Sequence, residues 1–319
     1  MSEKEICTIE HKVNELVTAS TESRFFASQV LSESTKKFYR IDFRIFSDYC
    51  KSLGIEPIPS SPENIANFLS MEASYGIKPA TLVRRLAAIK MAHEVLSLPN
   101  PTQHKIVRSV LKGIKRTMGT APNKKAPITA DRLESIISHC DKTLIGLRDK
   151  VLLLLGFAGA FRRSELVALT INDIERTPEG IKVIIRKSKG DQEGKGQTIA
   201  ILNGTRFRVV EWLNKWCYEA DINQGVIFRS IRKGNKVQEK ALSSRSVSNI
   251  IKRYTGMCGL NIDNFSGHSL RSGFITSGAQ AGADIFKLME VSRHKKPETV
   301  LEYVRDSKLF ENHAGEKFL

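Results

Sequence analysis

The chain has 319 residues, long enough for two domains of ordinary size, and 41% of them are hydrophobic, which excludes a disordered tail. With 50 Lys and Arg against 34 Asp and Glu, it carries a formal net charge of +16. Such an excess is typical of proteins that bind a polyanion, most often nucleic acid. A basic surface without a specific partner is the alternative at this point.

The cysteines and the apolar runs exclude several other classes. Five cysteines are scattered without a CxxC pair, which indicates reduced thiols rather than a zinc site or a disulfide framework. The first ten residues, MSEKEICTIE, are polar and unlike a signal peptide. The longest apolar run, residues 151–160, is too short to span a bilayer. We therefore expect a soluble cytoplasmic protein, nucleoid-associated if bacterial, with no membrane contact.

The first predicted helix separates apolar from basic side chains. Residues 1–20 show no pattern and are expected to be mobile. Residues 34–50 have a helical period, with one apolar face formed by Phe38, Ile41, Ile45, Phe46 and Tyr49. Four basic residues fall largely off that face: Lys36, Lys37, Arg40 and Arg44. This segregation suits a helix that packs on one side and meets phosphates on the other, although an ordinary solvated face explains it equally well.

Three more helices follow, and the last two are strongly basic. Ser61 as N-cap and Pro62 at the first helical position begin a helix that runs to about residue 74. The next begins near Pro79, and the fourth covers about residues 102–118. We interpret residues 21–118 as a helical DNA-binding domain. Its candidate DNA contacts are Lys36, Lys37, Arg40, Arg44, Arg84, Arg85, Lys90 and Lys112.

A second domain is predicted after a linker. Residues 119–128 contain Gly, Pro and Lys without periodic apolar residues, which is typical of an exposed linker. Residues 129–319 then begin with a helix that Thr129 caps. This domain is mostly helical, but residues 181–185 and 198–202 are β-prone and flank a Gly- and Lys-rich loop, which predicts a β-hairpin. The predicted fold class is mainly α with a small antiparallel β-sheet.

Cleavage of a DNA strand without a metal or cofactor needs three kinds of side chain. A side chain must attack the phosphorus, and cations must hold the charge that grows on the non-bridging oxygens. An acid must protonate the leaving sugar oxygen. A tyrosine nucleophile, with an ordinary pKa of about 10, needs cationic neighbours or a base to react.

The second domain contains three clusters that could supply these groups, although none is specific alone. In GAFRRSEL (159–166), Arg162 and Glu165 lie one turn apart and could form no more than a simple ion pair. In HSLR (268–271), His268 and Arg271 share a helix face, but this spacing is common. Further on, Pro297 fits the first turn of a short helix that carries Tyr303, which by itself would be an ordinary packing residue.

Taken in order, these clusters resemble the signature of the tyrosine recombinase (phage integrase) family. That signature is an Arg in R-x-x-E-[LI], a Lys on a β-hairpin, H-x-x-R, a His or Trp, and then a Tyr. The matching residues are Arg162, Lys189 in SKGDQ, His268, Arg271, His294 and Tyr303. Tyr303 follows Arg271 by 32 residues and His294 by nine, as is typical of the family. Residues 78–98 are similar to the Cre-like branch.

The resemblance implies a fold and a chemistry. The fold is a two-domain C-clamp, in which a SAM-like core-binding domain (21–118) and a catalytic domain (129–319) grip DNA. Tyr303 would form a 3′-phosphotyrosyl bond, and because that bond conserves the energy of the phosphodiester, neither ATP nor a metal is needed. Lys189 would protonate the leaving 5′-oxygen.

The remaining signature residues would surround the phosphate. Arg162, Arg271 and His294 would hold its non-bridging oxygens. His268 would handle the tyrosine proton or stabilise the phosphate, and Glu165 would orient Arg162 or His268.

The resemblance also implies partners. Family members act as tetramers on double-stranded DNA recombination sites, and accessory DNA-bending proteins are a further expectation. The apolar residues Leu309, Phe310, Phe318 and Leu319 lie on an otherwise polar C-terminal segment, which we expect to dock into a neighbouring subunit. A frayed tail is the alternative.

Two departures from the signature leave alternatives open. Arg163 stands where the family usually has an apolar residue, so either arginine of the pair could enter the site. Lys187 and Lys195 compete with Lys189 as the hairpin acid. At the level of function, a type IB topoisomerase-like enzyme and a non-catalytic DNA-binding protein are the alternatives.

Overall fold

The computed structural model of the protein describes residues 31–121, 124–186, 196–307 and 316. Its contacts divide the chain into two compact units, Met1–Asn123 and Lys124–Leu319. Both are mainly helical, and the described strands form two small antiparallel sheets in the second unit. The predicted fold class is therefore confirmed. Of the described helices, none has both the length and the apolar content needed to cross a membrane.

Some of the predicted features lie outside the described residues. They are the N-terminal residues 1–20, Lys189 with its neighbours Lys187 and Lys195, and the four apolar residues of the C-terminal segment.

Local sequence signals account for the helices of the first unit. These helices are α1 (Glu33–Ser52), α2 (Pro62–Ser74), α3 (Pro79–Val95) and α4 (Lys105–Met118), with a 3-10 turn (Pro101–Gln103) before α4. The hydroxyl of Ser61 accepts the backbone N–H of Asn64, and Pro62 occupies the first helical turn. The predicted start of α2 is thus confirmed, and apolar side chains from all four helices form the unit's core.

The buried face of α1 differs from the predicted one. Phe38 and Ile41 are 48% and 42% exposed, whereas Asp42 is buried together with Phe46 and Cys50. The reason is electrostatic, because Asp42 points inward and pairs with arginines of α3. Apolar periodicity alone could not reveal that a carboxylate takes the core position.

Arg85 is the clearest error among the predicted DNA contacts. Its side chain is buried, makes an ion pair with Glu72, and lies 3.8 Å from Asp42 and 5.9 Å from the ring centroid of Phe68. A guanidinium enclosed by two carboxylates inside a core is not available to a phosphate. The prediction that Arg85 faces DNA is therefore wrong.

The second unit surrounds a very apolar central helix. Its elements are α5 (Ala130–Ser138), α6 (Leu144–Ala158), α7 (Arg163–Ala168), β1 (Ile174–Arg176), β2 (Gly180–Ile185), β3 (Gln197–Leu202), α8 (Val209–Glu219), β4 (Arg229–Arg232), β5 (Lys236–Ala241), α9 (Ser244–Met257), α10 (Ser269–Gln280), α11 (Ile285–Ser292) and α12 (Pro297–Ser307). Helix α6 is buried on nearly every side, as its almost continuous apolar sequence requires.

The predicted hairpin is present and belongs to a larger sheet. Strands β2 and β3 are antiparallel, with Val183 opposite Ile199, and alternate side chains of both face the core. The sheet order is β1-β2-β3, and β4 pairs with β5 in a second sheet. Neither β1 nor the β4–β5 pair was predicted, because their sequences are short and polar.

The predicted linker ends earlier than residue 128. Ile128 is fully buried, and its N–H donates to the carbonyl of Ser269 at 2.9 Å. A side chain at Gly273 would lie 1.7 Å from the Ile128 carbonyl oxygen, so only glycine allows this close approach. Residues 124–128 therefore belong to the second unit and hold the start of α10.

Candidate active site

Five of the six predicted catalytic residues meet in the second unit. Arg162 is the N-cap of α7, His268 and Arg271 open α10, His294 follows α11, and Tyr303 lies on α12. The apolar packing of α10, α11 and α12 positions the last four. Lys189 lies outside the described residues.

The hydroxyl of Tyr303 lies 3.0 Å from Nε2 of His268. These two side chains are separated by 35 positions in the sequence, and helix packing brings them together. A neutral imidazole with its proton on Nδ1 would accept the phenol's proton through Nε2. The pair is therefore arranged as a nucleophile with its base.

A buried carboxylate links two arginines at the centre of the cluster. Glu165 accepts the guanidinium of Arg162 at 2.6 Å and that of Arg293 at 2.9 Å, and its side chain is 1% exposed. The backbone N–H of Arg162 also donates to Glu165, at 2.9 Å. Glu165 thus orients Arg162, as predicted, and its second partner is Arg293 rather than His268.

Arg271 is fixed by a strained turn between α6 and α7. It is almost fully buried and donates to the carbonyl of Ala160 at 2.8 Å. Ala160 has a left-handed backbone, with φ of +44°, and a side chain at Gly159 would strike the ring of Phe161. This turn therefore exists in one geometry, and that geometry aims a carbonyl at the guanidinium.

His294 lies beside Arg271 and beside the start of β3. Its ring nitrogens are 3.4 and 3.5 Å from a guanidinium nitrogen of Arg271, and Nδ1 is 2.8 Å from the Ser292 hydroxyl. A cleft of about 360 Å³ next to it is lined by both β3 and α11 residues, among them Gln197, Thr198 and Glu290. The start of β3, which is the second strand of the predicted hairpin, is thus close to His294.

The cluster carries more positive than negative charge. Arg162, Arg271 and Arg293 face one carboxylate, and the histidines are neutral. Burial and then Arg271 and Arg162 lower the pKa of His294 to about 3. Desolvation and the same two arginines lower the pKa of His268. Counted over the described residues, the site therefore has a surplus of two positive charges and is electrostatically suited to an anion.

Arg271 and Glu165 both remain ionised within this site. Burial, Arg162 and Arg293 lower the pKa of Arg271 to about 9, so its guanidinium stays protonated at neutral pH. Burial opposes the ionisation of Glu165, but Arg293 and Arg162 outweigh it and hold the pKa of this carboxyl below its ordinary value.

The structure separates the roles of Arg162 and Arg163. Arg163 donates to the hydroxyl of Ser248 on α9 at 2.8 Å, and its side chain passes over Gly267. Arg162 interacts with Glu165 and acts electrostatically on His268, Arg271 and His294. Arg162 is thus the member of the pair that belongs to the cluster.

Arg293 was missed by the sequence reasoning. It is buried, adopts a left-handed backbone with φ of +55°, and donates to the carbonyls of Gly159, Ala160 and Val291 as well as to Glu165. In the sequence it stands in the basic run RHKK and resembles a surface residue. No local signal distinguishes it, because its partners other than Val291 lie more than 120 positions away.

Most of the other predicted DNA contacts lie on the surface of the first unit. Lys37, Arg40, Arg44 and Lys112 are exposed. Lys36 pairs with Glu33, Lys90 pairs with Glu94, and Arg84 pairs with Asp42. In the ranges that the structure describes, no group of three or more His, Cys, Asp or Glu side chains could hold a metal ion.

The family and the relatives of the chain agree with this geometry. The model of the phage integrase family matches residues 127–309. An integrase/recombinase XerD homologue from Selenomonas ruminantium is 38% identical over 307 residues, which cover 94% of this chain and 89% of that protein. The Cre recombinase of Escherichia phage P1 is 24% identical over 295 residues, which cover 87% and 85%.

Solved structures share the fold. The crystal structure of the XerH site-specific recombinase bound to palindromic difH substrate, a post-cleavage complex, matches with a TM-score of 0.66 at 20% identity and covers 96% of this chain and 88% of that one. A lambda integrase dimer bound to a COC′ core site matches with a TM-score of 0.62 at 17% identity, covering 89% and 75%.

Proposed function

Because the chain belongs to the phage integrase family and is a tyrosine recombinase that cleaves and rejoins DNA, we propose that Tyr303 is its nucleophile and that the surrounding cationic cluster holds the scissile phosphate. The observation that carries this proposal is the 3.0 Å contact between the Tyr303 hydroxyl and His268, beside three arginines, two of which pair with one carboxylate. An ordinary packing tyrosine needs neither neighbour.

In the first step, the Tyr303 oxygen attacks phosphorus as His268 takes the phenol proton on Nε2. The bond between phosphorus and the 5′-oxygen breaks, which leaves a 3′-phosphotyrosyl link and a free 5′-hydroxyl. Arg162 and Arg271 hold the non-bridging oxygens, on which negative charge grows in the transition state. His294, at hydrogen-bond distance from Arg271, donates to the same oxygens.

Lys189 is the proposed acid for the leaving 5′-oxygen. It follows the end of β2 by four residues and precedes the start of β3 by eight. Chain segments of this length can reach roughly 13 to 28 Å, and the start of β3 lines the cleft beside His294. A lysine on this loop is therefore within reach of the phosphate site.

In the second step, a 5′-hydroxyl of the partner DNA attacks the phosphotyrosine and restores a phosphodiester. Since the covalent link conserves bond energy, the exchange needs no ATP. We propose that the protein acts in the cytoplasm as a tetramer on two sites, that residues 308–319 dock into a neighbouring subunit, and that both units bind the DNA. Accessory DNA-bending proteins would set the direction of exchange.

The test is covalent trapping on a nicked DNA duplex. The DNA is drawn from the sequence that flanks the gene, and the nick lets the 5′-hydroxyl fragment diffuse away. The wild-type protein should form an SDS-resistant adduct that mass spectrometry maps to Tyr303. Tyr303→Phe should form none yet bind the same DNA, while Tyr218→Phe, at an exposed tyrosine of α8, should behave as wild type.

Other results would point to other functions. An adduct on a different tyrosine would contradict the assignment of the nucleophile. Relaxed circles without recombinants or junctions would favour a type IB topoisomerase, and DNA binding with no adduct on any site would favour a non-catalytic protein.

A further inference from the structure

A bidentate ion pair between an arginine and an aspartate lies at the surface of the first unit. Arg84 of α3 donates through Nε and one terminal nitrogen to the two carboxylate oxygens of Asp42, at 2.6 and 3.0 Å. Asp42 on α1 is 1% exposed, whereas the Arg84 side chain is 42% exposed. The guanidinium carbon also lies 5.0 Å from the ring centroid of Phe38, which is itself half exposed.

This pairing leaves one defined edge of the guanidinium available. An arginine has five N–H donors, and the contact with Asp42 takes one from Nε and one from a terminal nitrogen. The three that remain include two parallel donors on the edge between the terminal nitrogens. Such an edge binds two neighbouring acceptors at once.

The same contacts fix the direction of that edge. Two hydrogen bonds and the adjacent Phe38 ring hold the side chain in one orientation before any ligand arrives. A preorganised arginine loses less conformational entropy on binding than a free one, and it tolerates less variation in the ligand. The fixed orientation of Arg84 therefore favours recognition of a specific base over nonspecific binding to a phosphate.

Charge leads to the same conclusion. Arg84 and Arg85 are balanced by Asp42 and Glu72, so this cluster has no net formal charge. A phosphate gains little from a neutral cluster, whereas exposed lysines such as Lys37 and Lys112 offer it positive charge. A base edge is uncharged and needs donors in the correct geometry rather than charge.

We propose that Arg84 reads a guanine in the major groove, donating to its O6 and N7, while Asp42 holds the guanidinium in position. Guanine presents two adjacent acceptors on that edge, and no other base does so. The exposed Phe38 ring beside it supplies an apolar surface for a neighbouring base. This inference rests on the proposed function, because it requires DNA to be the substrate.

The experiment selects preferred binding sites from a pool of random DNA sequences. The full-length wild-type protein and the variants Arg84→Ala and Arg84→Lys undergo the same selection, and their base preferences are compared. Wild-type sites should contain a guanine that both variants stop preferring, because lysine keeps the charge but lacks the paired donors. The preference should fall by roughly 5- to 100-fold at that position alone. The matched control is Lys37→Ala, which should weaken binding to all sites equally.

A modified base gives a second readout, and its wild-type measurement needs no variant. Replacing the selected guanine with 7-deazaguanine removes the N7 acceptor. Wild-type binding should then weaken, whereas Arg84→Ala should bind both DNAs equally. Equal weakening of both proteins, or variants that lose affinity without losing base preference, would overturn the inference.

Covalent trapping on the same selected DNA separates the two proposals. If the wild-type protein forms the Tyr303 adduct but its base preferences do not depend on Arg84, the inference fails and the proposed function stands. If no sequence is bound or cleaved, both fail.

Discussion

Each unit of the molecule buries arginines against acidic side chains, and the two clusters differ in their charge balance. In the first unit, two arginines meet Asp42 and Glu72, and the charges cancel. In the described part of the second, Arg162 and Arg293 pair with the carboxylate of Glu165, and Arg271 adds a third positive charge beside them. The first cluster is complete within the protein, whereas the second has a surplus of cations that a phosphate would balance.

This difference indicates better than burial does which cluster would bind an anion, since Arg84 of the balanced cluster is proposed to contact an uncharged base edge. A buried ion pair with matched charges is explained by structure alone. A fully buried guanidinium such as Arg271 contacts a carbonyl and a neutral histidine, and no acidic side chain among the described residues forms an ion pair with it. Such surroundings fit the proposal that this site binds an anion.

The largest expected effect comes from removing the carboxylate that pairs with two arginines of the second cluster. Glu165→Gln keeps the shape of the side chain but leaves Arg162 and Arg293 without a counterion. We expect the second unit to lose roughly 3 to 5 kcal/mol of unfolding free energy. Urea unfolding followed by tryptophan fluorescence measures this directly, because both tryptophans, Trp212 and Trp216, lie on α8 of that unit.

The matched control is Glu175→Gln, at an exposed pair with Lys182. Surface ion pairs contribute about 0 to 1 kcal/mol, so this variant should unfold almost as the wild type does. Equal effects of the two changes would contradict the special position of Glu165.

Acid should weaken the free second unit through its histidines. The pKa of His294 is lowered to about 3, while an unfolded histidine titrates at about 6.5. Protonation therefore favours the unfolded chain, so the stability from this neutral ring is complete above about pH 6.5 and is lost as the pH falls toward 3. Between about pH 7.5 and about pH 5.5 we expect a loss on the order of 1 kcal/mol, seen in the same fluorescence assay.

The comparison also predicts what DNA does to this pH dependence. A phosphate in the cluster would stabilise a protonated His294, so cleavable DNA should bind with proton uptake near pH 6. Calorimetry in buffers of different ionisation enthalpy measures that uptake. His294→Gln should remove the uptake and the part of the acid-induced loss that His294 causes, while the smaller part that His268 causes should remain. An uptake that survives this change would assign the effect to another group.

The smallest effect is expected in the balanced cluster. Replacing both partners, Glu72→Leu with Arg85→Met, removes a matched buried pair, and we expect a change within about 1 kcal/mol. Glu72→Leu alone leaves a buried charge and should destabilise the unit much more. Hydrogen exchange of α2 and α3 measures both. A double variant as unstable as the single one would show that this pair has a role beyond charge balance.

Signals of short range made much of this structure predictable. Ser61 and Pro62 marked the start of α2, and alternation in residues 181–185 marked β2. The ordered positions of His268, Arg271, His294 and Tyr303 predicted which residues gather in the site. Each of these depends on a few adjacent residues or on a shared family pattern.

What could not be predicted depends on partners that are distant in the sequence. The sequence predicted that Arg85 contacts DNA because its acidic partners lie on other helices, α1 and α2. Arg293 resembled a surface residue because its partner Glu165 lies 128 positions before it. Likewise, the sequence placed Ile128 in the linker, because the carbonyl that accepts its N–H belongs to the distant Ser269 at the start of α10. Periodicity reports which face a residue occupies, but long-range charge pairing can reverse that assignment.

The central claim is that the surplus charge of the second cluster exists to bind a phosphate, and charge-neutral DNA tests it most directly. The measurement is the cleavage rate of wild type and Arg162→Ala on ordinary DNA and on DNA with a methylphosphonate at the scissile position. Arg162→Ala leaves Glu165 paired with Arg293, so folding should be retained. On ordinary DNA the variant should be slower by roughly 10²- to 10³-fold, and on the neutral linkage most of that difference should disappear. An equal loss on both DNAs would contradict the account, because Arg162 would then act without sensing the charge of the phosphate.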